Sequence, residues 1–394
     1  RTAELARATQ GFDAKKIPKS LRIAVDSSPL SGAGRVEDTI NLIAHAARQI
    51  VTCIAQMTEM KFEDVCTKVG TPMLLESSVK KALDRDWSDK KQKAEAVDVV
   101  ARQVLSLERW IDKHLQEEAK RPPLDDLLVT MRKIMEQDLE PDPDGLGVRI
   151  RDGVAHDRRI SIADSDMRHG RKSSSKRIDG HKRHIATDLD SQAIIACAIT
   201  PANHPEHEAL DLLKSDIDAQ GIRFSEAHFD RAYIGSMAVN KISEEGGDVI
   251  CKPLKTHNGE LFTKENFEID LRSKTITCPA GYTEDIEIGN VAQFSAECCD
   301  NCLLRQKCTT TKKGNGRSVS IAEDELFQKR MRQAMKTKSG RERFRERIQV
   351  EHRLAHLSQR QGNRARYKGL RKNLYDTRRA AAIQNLEAVQ RKAA

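Results

Sequence analysis

Arg341-Glu-Arg-Phe-Arg-Glu-Arg-Ile-Gln-Val-Glu-His-Arg-Leu354 contains neither Pro nor Gly and is rich in Arg and Glu. Both residues lose little rotamer freedom in a helix, so the stretch is predicted to be one helix. On it Phe344, Ile348, Glu351 and Ala355 fall at steps of four, three and four, which is one face. Three of those residues suit a core and the fourth is a carboxylate. A buried carboxylate is costly unless a cation or a set of donors meets it. The plain reading is a surface Glu beside an Arg. The sharper one is a metal ligand, one of several acids gathered from distant parts of the chain.

The 394 residues allow two or three packed units, and 38% hydrophobic with 32% charged residues is a globular mixture with no run long enough to cross a bilayer. The chain opens on Arg1 with no signal peptide in view, so a fragment of a cytoplasmic protein is expected. The net charge of +9 is uneven: from Gln328 onward 20 Lys or Arg face 5 acids, and the remainder is slightly acidic. A segregated basic end favours a polyanionic partner, with nucleic acid ahead of membrane because no amphipathic apolar face accompanies it. Nine cysteines, five of them between 278 and 308, fit a reducing compartment and a metal site better than a disulfide framework.

Leu21-Arg-Ile-Ala-Val-Asp26 reads as a buried strand ending in an acid, against the alternative that Asp26 caps the following turn. Ile40, Ile43, Ala47, Ile50, Ile54 and Met57 then mark a long amphipathic helix. Val97, Val100, Val104, Leu107 and Ile111 mark a second, and Leu128, Met131 and Met135 a third, before the breaker Pro141-Asp-Pro-Asp-Gly145. These stripes are core. Asp164 to Lys172 is a polar, basic loop, followed by strands over 184–190 and 193–200 joined as a hairpin at Asp190-Ser-Gln192. The cluster Arg168, Arg171, Lys172, Lys176, Arg177, Lys182 and Arg183 either holds phosphates or solvates an edge strand. A helix begins near Glu208, Ala227-His-Phe-Asp230 is a second strand running into an acid, and Asp248 to Pro253 is a further strand.

This element order is that of the ribonuclease H-like fold. Ile23-Ala-Val-Asp-Ser-Ser-Pro29, Asp166-Met-Arg-His-Gly-Arg-Lys-Ser-Ser174, Gly180-His-Lys-Arg-His-Ile-Ala-Thr-Asp188, Thr200-Pro-Ala-Asn203 and Val350-Glu-His-Arg-Leu354 resemble the DDE transposases of bacterial insertion sequences. The narrower likeness is to the subgroup with a helical insert after the first Asp and a Cys-rich insert before the Glu. Each motif alone is weak; five in order are specific. The resemblance implies an α/β, ribonuclease H-like core with a helical insertion and a small Cys-rich β insertion. It implies segments 1–36 (lead-in and first strand), 37–145 (helical insertion), 146–254 (core), 255–335 (Cys-rich insertion) and 336–394 (basic C-terminal helices). It further implies Asp26, Asp230 and Glu351 as the catalytic, metal-binding triad of an enzyme that cleaves DNA and transfers strands. The expected partner is double-stranded DNA, bound by a homodimer at the bacterial nucleoid, with no membrane involved. Members of the group usually carry a helical DNA-binding region before the first Asp, and with 25 residues before Asp26 that region is expected to be missing.

The chemistry suits these residues. Breaking and rejoining phosphodiesters needs an activated oxygen nucleophile and charge relief on the leaving oxygen, which two Mg²⁺ ions about 3.5–4 Å apart supply. Mg²⁺, for which Mn²⁺ can substitute, prefers hard oxygen donors. Asp164 and Asp166 rank second as ligands because they sit on a loop. In 255–335, Cys278, Cys299, Cys302 and Cys308, with Cys298 able to replace Cys299, suit a structural tetrahedral Zn²⁺; the alternative is reduced thiols packing a small β unit. The large apolar residues noted in that segment are Leu261, Phe262, Phe267, Phe294 and Leu303, too few for a firm core. One departure concerns the pattern Tyr-x-x-Arg-x-x-x-Glu-x6-Lys of related transposases. Arg347 and Glu351 match it, but Phe344 stands for Tyr and Ser358 for Lys. Arg347, Arg353 and Arg360 are then expected to carry more of the phosphate contacts, with Arg168, Arg171 and Lys172. Arg364, Arg366 and Lys368 join them from the Gly-punctuated loop 361–369. Two other readings are a decayed remnant that binds DNA without cutting and a ribonuclease H-like nuclease that cuts without joining.

Overall fold

The computed structural model describes residues 1–4, 20–143, 147–172, 175–253 and 255–393. Most of the polar lead-in (5–19), Asp144 and Gly145 of the breaker, Ser173 and Ser174 of the basic motif, and Leu254 at the expected segment boundary lie outside the described residues.

The chain begins with a strand, β1 (Ser20–Ser31). A helical stretch follows: α1 (Thr39–Thr58), α2 (Phe62–Val69), α3 (Val79–Leu83), α4 (Lys90–His114) and α5 (Leu124–Asp138). Asp38 caps α1 and Asp89 caps α4, each accepting a backbone N–H three residues on. The predicted stripes pack into one core, including Ile43, Ile50, Ile54, Val100, Leu107 and Met131. Met57 is the exception, 41% exposed in the last turn of α1. A hairpin of β2 (Leu139–Pro141) and β3 (Val148–Ile150) closes the unit at the expected breaker.

The central sheet uses β1 with β4 (Arg168–Arg171), β5 (Arg177–Asp188), β6 (Ile194–Pro201), β7 (Arg223–His228) and β8 (Asp248–Ile250). β5 runs antiparallel to β1 on one side and to β6 on the other, with β4 pairing its first four residues. β7 joins β1 in parallel and β8 joins β7 in parallel. The sheet is therefore mixed, and the fold is mixed α/β. Gly180 shows how tightly β5 meets β1: its φ is +148°, and a Cβ there would stand 2.2 Å from the Gly32 amide nitrogen.

Side chains alternate across β1 and so divide the core. Leu21, Ile23 and Val25 face Leu210, Leu213 and Ile217 of α6 (Glu206–Asp218) and Ile242 of α7 (Met237–Glu244). Ala24 faces the other layer, which the last helices supply.

Between β8 and those helices lie short strands, β9 (Glu268–Asp270), β10 (Thr275–Thr277), β11 (Thr283–Asp285), β12 (Val291–Gln293) and β13 (Ser318–Ser320). Two short helices, α8 (Ala296–Asp300) and α9 (Arg305–Cys308), accompany them. The expectation that this segment lacks a core is corrected. Phe267, Ile269, Ile276, Ile286, Phe294, Val319 and Ile321 are buried together, whereas Leu303 is fully exposed. Single inward β-branched residues on three-residue strands build this core, and a search for large side chains overlooks them.

The stretch predicted as one helix is two. α10 (Glu325–Lys336) leads into α11 (Lys338–Arg345), and α12 (Ile348–Gln361) follows after Glu346-Arg347. The joint is a tightening: the amides of Glu346, Gln349 and Val350 each bond the carbonyl three residues back. The predicted buried face is corrected as well. Val350, Leu354 and Leu357 of α12 pack with Ala24, Ile185 and Ala380, the last from α13 (Leu370–Ala393). Ile348, Glu351 and Ala355 are exposed. Among the described residues no helix is long and apolar enough to cross a membrane.

Candidate active site

Asp26 lies inside β1, and the strand continues to Ser31, so the expected strand-terminal acid is corrected. The reason for its placement is the sheet. Pairing of β1 with β7 ends at Ala24 and His228, while pairing with β5 continues through Asp26 opposite Ile185. Past Ala24 the β7 edge of β1 pairs with no strand among the described residues until Ser31 meets loop 361–369. Asp230 follows β7 by two residues and accepts the Arg231 amide at 2.7 Å. Asp26 thus stands just past the end of the parallel β1–β7 pairing and Asp230 just past the end of β7, the side of an open α/β sheet where ligands bind. By alternation Asp26 shares the face of Ala24, the face that α12 covers, and Glu351 in the first turn of α12 completes the set.

The three carboxylates line one cleft of about 830 Å³, together with Ser27, Ser28, Arg171, Lys172, Lys182, Glu206, Arg347 and Ser358. The Arg347 guanidinium bridges the acids, with Nη1 3.4 Å from Asp26 Oδ1 and Nη2 donating to Glu351 Oε1 at 2.8 Å. Burial raises the Asp26 carboxyl above the usual carboxylate range; Arg347 and the Ser27 amide oppose that shift, while Glu351 and Glu206 add to it. Among the described residues no group of three or more His, Cys, Asp or Glu side chains is close enough, as the side chains stand, to hold a metal ion.

A buried hydrogen-bond chain supports the cleft floor. His184 Nε2 meets Thr200 Oγ1 and its Nδ1 meets the Tyr233 hydroxyl, both at 3.0 Å. Tyr233 lies within reach of Ser27, whose amide donates to Asp26 at 2.9 Å and whose hydroxyl donates to Glu206 at 2.8 Å. Burial lowers His184 to about 3, so the imidazole is neutral and packs as a fixed strut. Glu206, Ser27 and Tyr233 were not singled out in the sequence. The available signal was the Pro205-Glu206 helix start just after Thr200-Pro-Ala-Asn203.

The helix carrying Glu351 is anchored from both ends. At the α11–α12 joint Arg22 meets Asp190, Glu226 and Glu346, while Arg343 meets Glu226 and Asp248. At the other end the fully buried Arg183 guanidinium donates to Ser28 Oγ, Ser358 Oγ, Gln361 Oε1 and the Gly362 carbonyl at 2.6–3.0 Å. Its pKa falls to about 10 through burial. Loop 361–369 is stitched to the end of β1, with the Ser31 amide bonding Asn363 O and the Ala365 amide bonding Ser31 O. Arg364, Arg366 and Lys368 of that loop are exposed, and none of the three is among the residues lining the cleft.

The other expected cations divide. Arg171 and Lys172 line the cleft with no ion-pair partner among the described residues. Arg168 is buried, its guanidinium paired with Asp157 and donating to Ser165 O and Met167 O, so it is not presented to a ligand. Arg353 donates to Gln192, and Arg360 pairs with Glu387. Asp164 and Asp166 lie outside the cleft lining. They accept the Gly369 and Leu370 amides and so pin the start of α13, with His181 3.5 Å from Asp164.

In the segment between β8 and α10, Cys278, Cys298, Cys299, Cys302 and Cys308 all line a cavity of about 20 Å³. The Arg317 amide donates to Cys299 Sγ at 3.4 Å. Burial raises the Cys308 thiol, and the neighbouring Cys299, Cys278 and Cys302 reinforce that shift.

A mixed α/β fold thus carries one cleft lined by Asp26, Asp230, Glu206 and Glu351 together with Arg171, Lys172, Lys182 and Arg347. Residues 277–389 match the family model described as the transposase DDE domain. That match covers a minority of the chain and includes Glu351 and the five clustered cysteines. It supports a DDE-type transposase, an enzyme acting on DNA. No curated protein matches the chain.

Proposed function

We propose that this chain cuts DNA and transfers the cut strand during movement of a bacterial insertion sequence, with Asp26, Asp230 and Glu351 as the catalytic acids. The observation that carries the reading is their convergence on one basic-rimmed cleft from β1, the end of β7 and α12. The strand arrangement, an antiparallel β1–β5–β6 meander followed by parallel β7 and β8, supports a ribonuclease H-like core. On this reading α1–α5 and the Cys-rich strands are insertions into that core.

The donor type suits hard divalent cations: three carboxylates line one cleft, and a guanidinium already bridges two of them. Asp26, Asp230 and Glu351 would hold Mg²⁺, or Mn²⁺ in its place, which when bound supplies an activated nucleophile and relief of charge on the leaving oxygen. The residues of the chain do the rest. Arg171 and Lys172 hold the phosphate backbone in the cleft, and Arg364, Arg366 and Lys368 extend that track along the loop. Ser27 orients Asp26 through its amide and Glu206 through its hydroxyl. Four of the clustered cysteines, Cys278, Cys299, Cys302 and Cys308, would hold one structural Zn²⁺; the shared cavity wall and the amide donated to Cys299 fit a thiolate site. The molecule is proposed to act as a homodimer on DNA at the nucleoid, in the bacterial cytoplasm.

The test uses a plasmid carrying the genomic segment that flanks the gene, incubated with the purified chain and Mg²⁺. Nicking and joined products are expected. Asp26→Ala, Asp230→Ala and Glu351→Ala should each abolish both while leaving DNA binding largely intact. Near-normal cleavage by any one variant removes that residue from the set, and nicking without joined products leaves a nuclease.

A further inference from the structure

We propose that Arg347 is an exchangeable internal cation: it neutralises Asp26 and Glu351 in the metal-free protein and is displaced from them into the cleft, toward a DNA phosphate, when divalent ions bind. The inference rests on the reading of those acids as metal ligands.

Three features of the geometry carry it. First, Arg347 stands between the two carboxylates, 2.8 Å from Glu351 and 3.4 Å from Asp26, so a divalent ion bound to the same oxygens would face a positive guanidinium at contact distance. Second, the hold is uneven. Nη2 makes a true hydrogen bond to Glu351, whereas the buried Nη1 has no hydrogen-bond partner among the described residues and only an ionic approach to Asp26. Third, Arg347 lies in the two-residue joint between α11 and α12, where the backbone is fixed by neighbouring amides and the salt-bridge lattice of Arg22 and Arg343. The side chain can therefore move without moving the helix that carries Glu351.

The other cleft cations are not placed for this task. Lys182 is held by the His204 carbonyl, and Arg171 and Lys172 have no carboxylate contact among the described residues. A displaced Arg347 would face the same cleft as those two, with a planar fork suited to a phosphate. A purely structural salt bridge predicts the opposite response, because its loss would loosen the carboxylates and weaken metal binding.

The experiment is calorimetric titration of the full chain with Ca²⁺ and with Mn²⁺ in the absence of DNA, comparing wild type, Arg347→Gln and Asp230→Asn. Removing the competing cation should tighten metal binding on the order of threefold to tenfold, as expected for two partly exposed ion pairs. Duplex DNA binding in Ca²⁺ should weaken in the same variant. Equal or weaker metal affinity for Arg347→Gln overturns the exchange while leaving the metal site standing, provided Asp230→Asn abolishes binding. Wild type that binds neither ion overturns the exchange and the catalytic reading together. Arginine-labelled wild type gives a second readout that needs no variant: Ca²⁺ should shift the Arg347 guanidinium resonance, and an unshifted resonance at saturation overturns the proposal.

Discussion

Replacing Arg183 by Met tests whether the position of the helix that carries Glu351 is set by one buried cation. The guanidinium ties β1 through Ser28, α12 through Ser358 and Gln361, and the basic loop through Gly362. Four hydrogen bonds from a charged donor contribute roughly 6–12 kcal/mol at about 1.5–3 each. Burying a cation with no carboxylate in contact among the described residues offsets several kcal/mol of that. Met fills much of the volume but leaves Gln361 Oε1 and the Gly362 carbonyl without this donor, whereas the two serine hydroxyls can rotate. The net destabilisation is about 3–5 kcal/mol. Urea unfolding followed by far-ultraviolet circular dichroism measures it; tryptophan fluorescence does not suit, since Trp87 and Trp110 both pack against the α1–α5 core. Cleavage should fall more than stability suggests, because Glu351 and Asp26 lose their common brace. Arg183→Lys, whose ammonium cannot span four acceptors, should be intermediate. A Met variant within about 0.5 kcal/mol of wild type and fully active would refute the reasoning.

Three further outcomes are expected. DNA affinity should fall steeply with salt, and replacing Arg364, Arg366 and Lys368 by Ala should flatten the slope of log affinity against log salt; an unchanged slope moves the track to Arg171 and Lys172. Elemental analysis should find one Zn²⁺ per chain, and a chelator or Cys302→Ser should loosen the Cys-rich strands while the central sheet survives, as hydrogen exchange would report; zinc-free folded protein counts against the site. Although burial alone would raise it, hydrogen bonds from Arg343 and His228 hold the Glu226 carboxyl at about 2, below its ordinary 4.5. A depressed carboxylate gives stability that is present above the unfolded value and lost as pH falls through the folded one. Melting temperature should therefore drop between about pH 4.5 and 2, and Glu226→Gln should flatten that drop.

The helical stripes of α1 and α4 and the β5–β6 hairpin were legible in the sequence because a single period decides each of them. The α11–α12 stretch was not, since helix propensity does not register the tightened joint at Glu346-Arg347, which the Arg22 lattice reaches from β1. The misjudged face of Glu351 follows from that joint, as a face counted through it drifts away from Val350, Leu354 and Leu357. Asp26 could be named but not placed: a strand's end on its parallel side differs from its end on its antiparallel side, and local sequence carries no sign of which neighbour stops first. Arg168 and Arg183 looked like part of a surface charge cluster, yet both are buried among partners from distant segments. Glu206 was hidden in a helix start, and its role in lining the cleft depends on contact with Ser27, 179 residues away in the chain.

The measurement that bears most directly on the central claim is a crystal structure of the full chain soaked in Mn²⁺, read at the manganese absorption edge. Anomalous peaks between Asp26, Asp230 and Glu351, with the Arg347 guanidinium moved off the carboxylates, are the predicted result. Manganese bound elsewhere, or none in this cleft at saturating concentration, would contradict it.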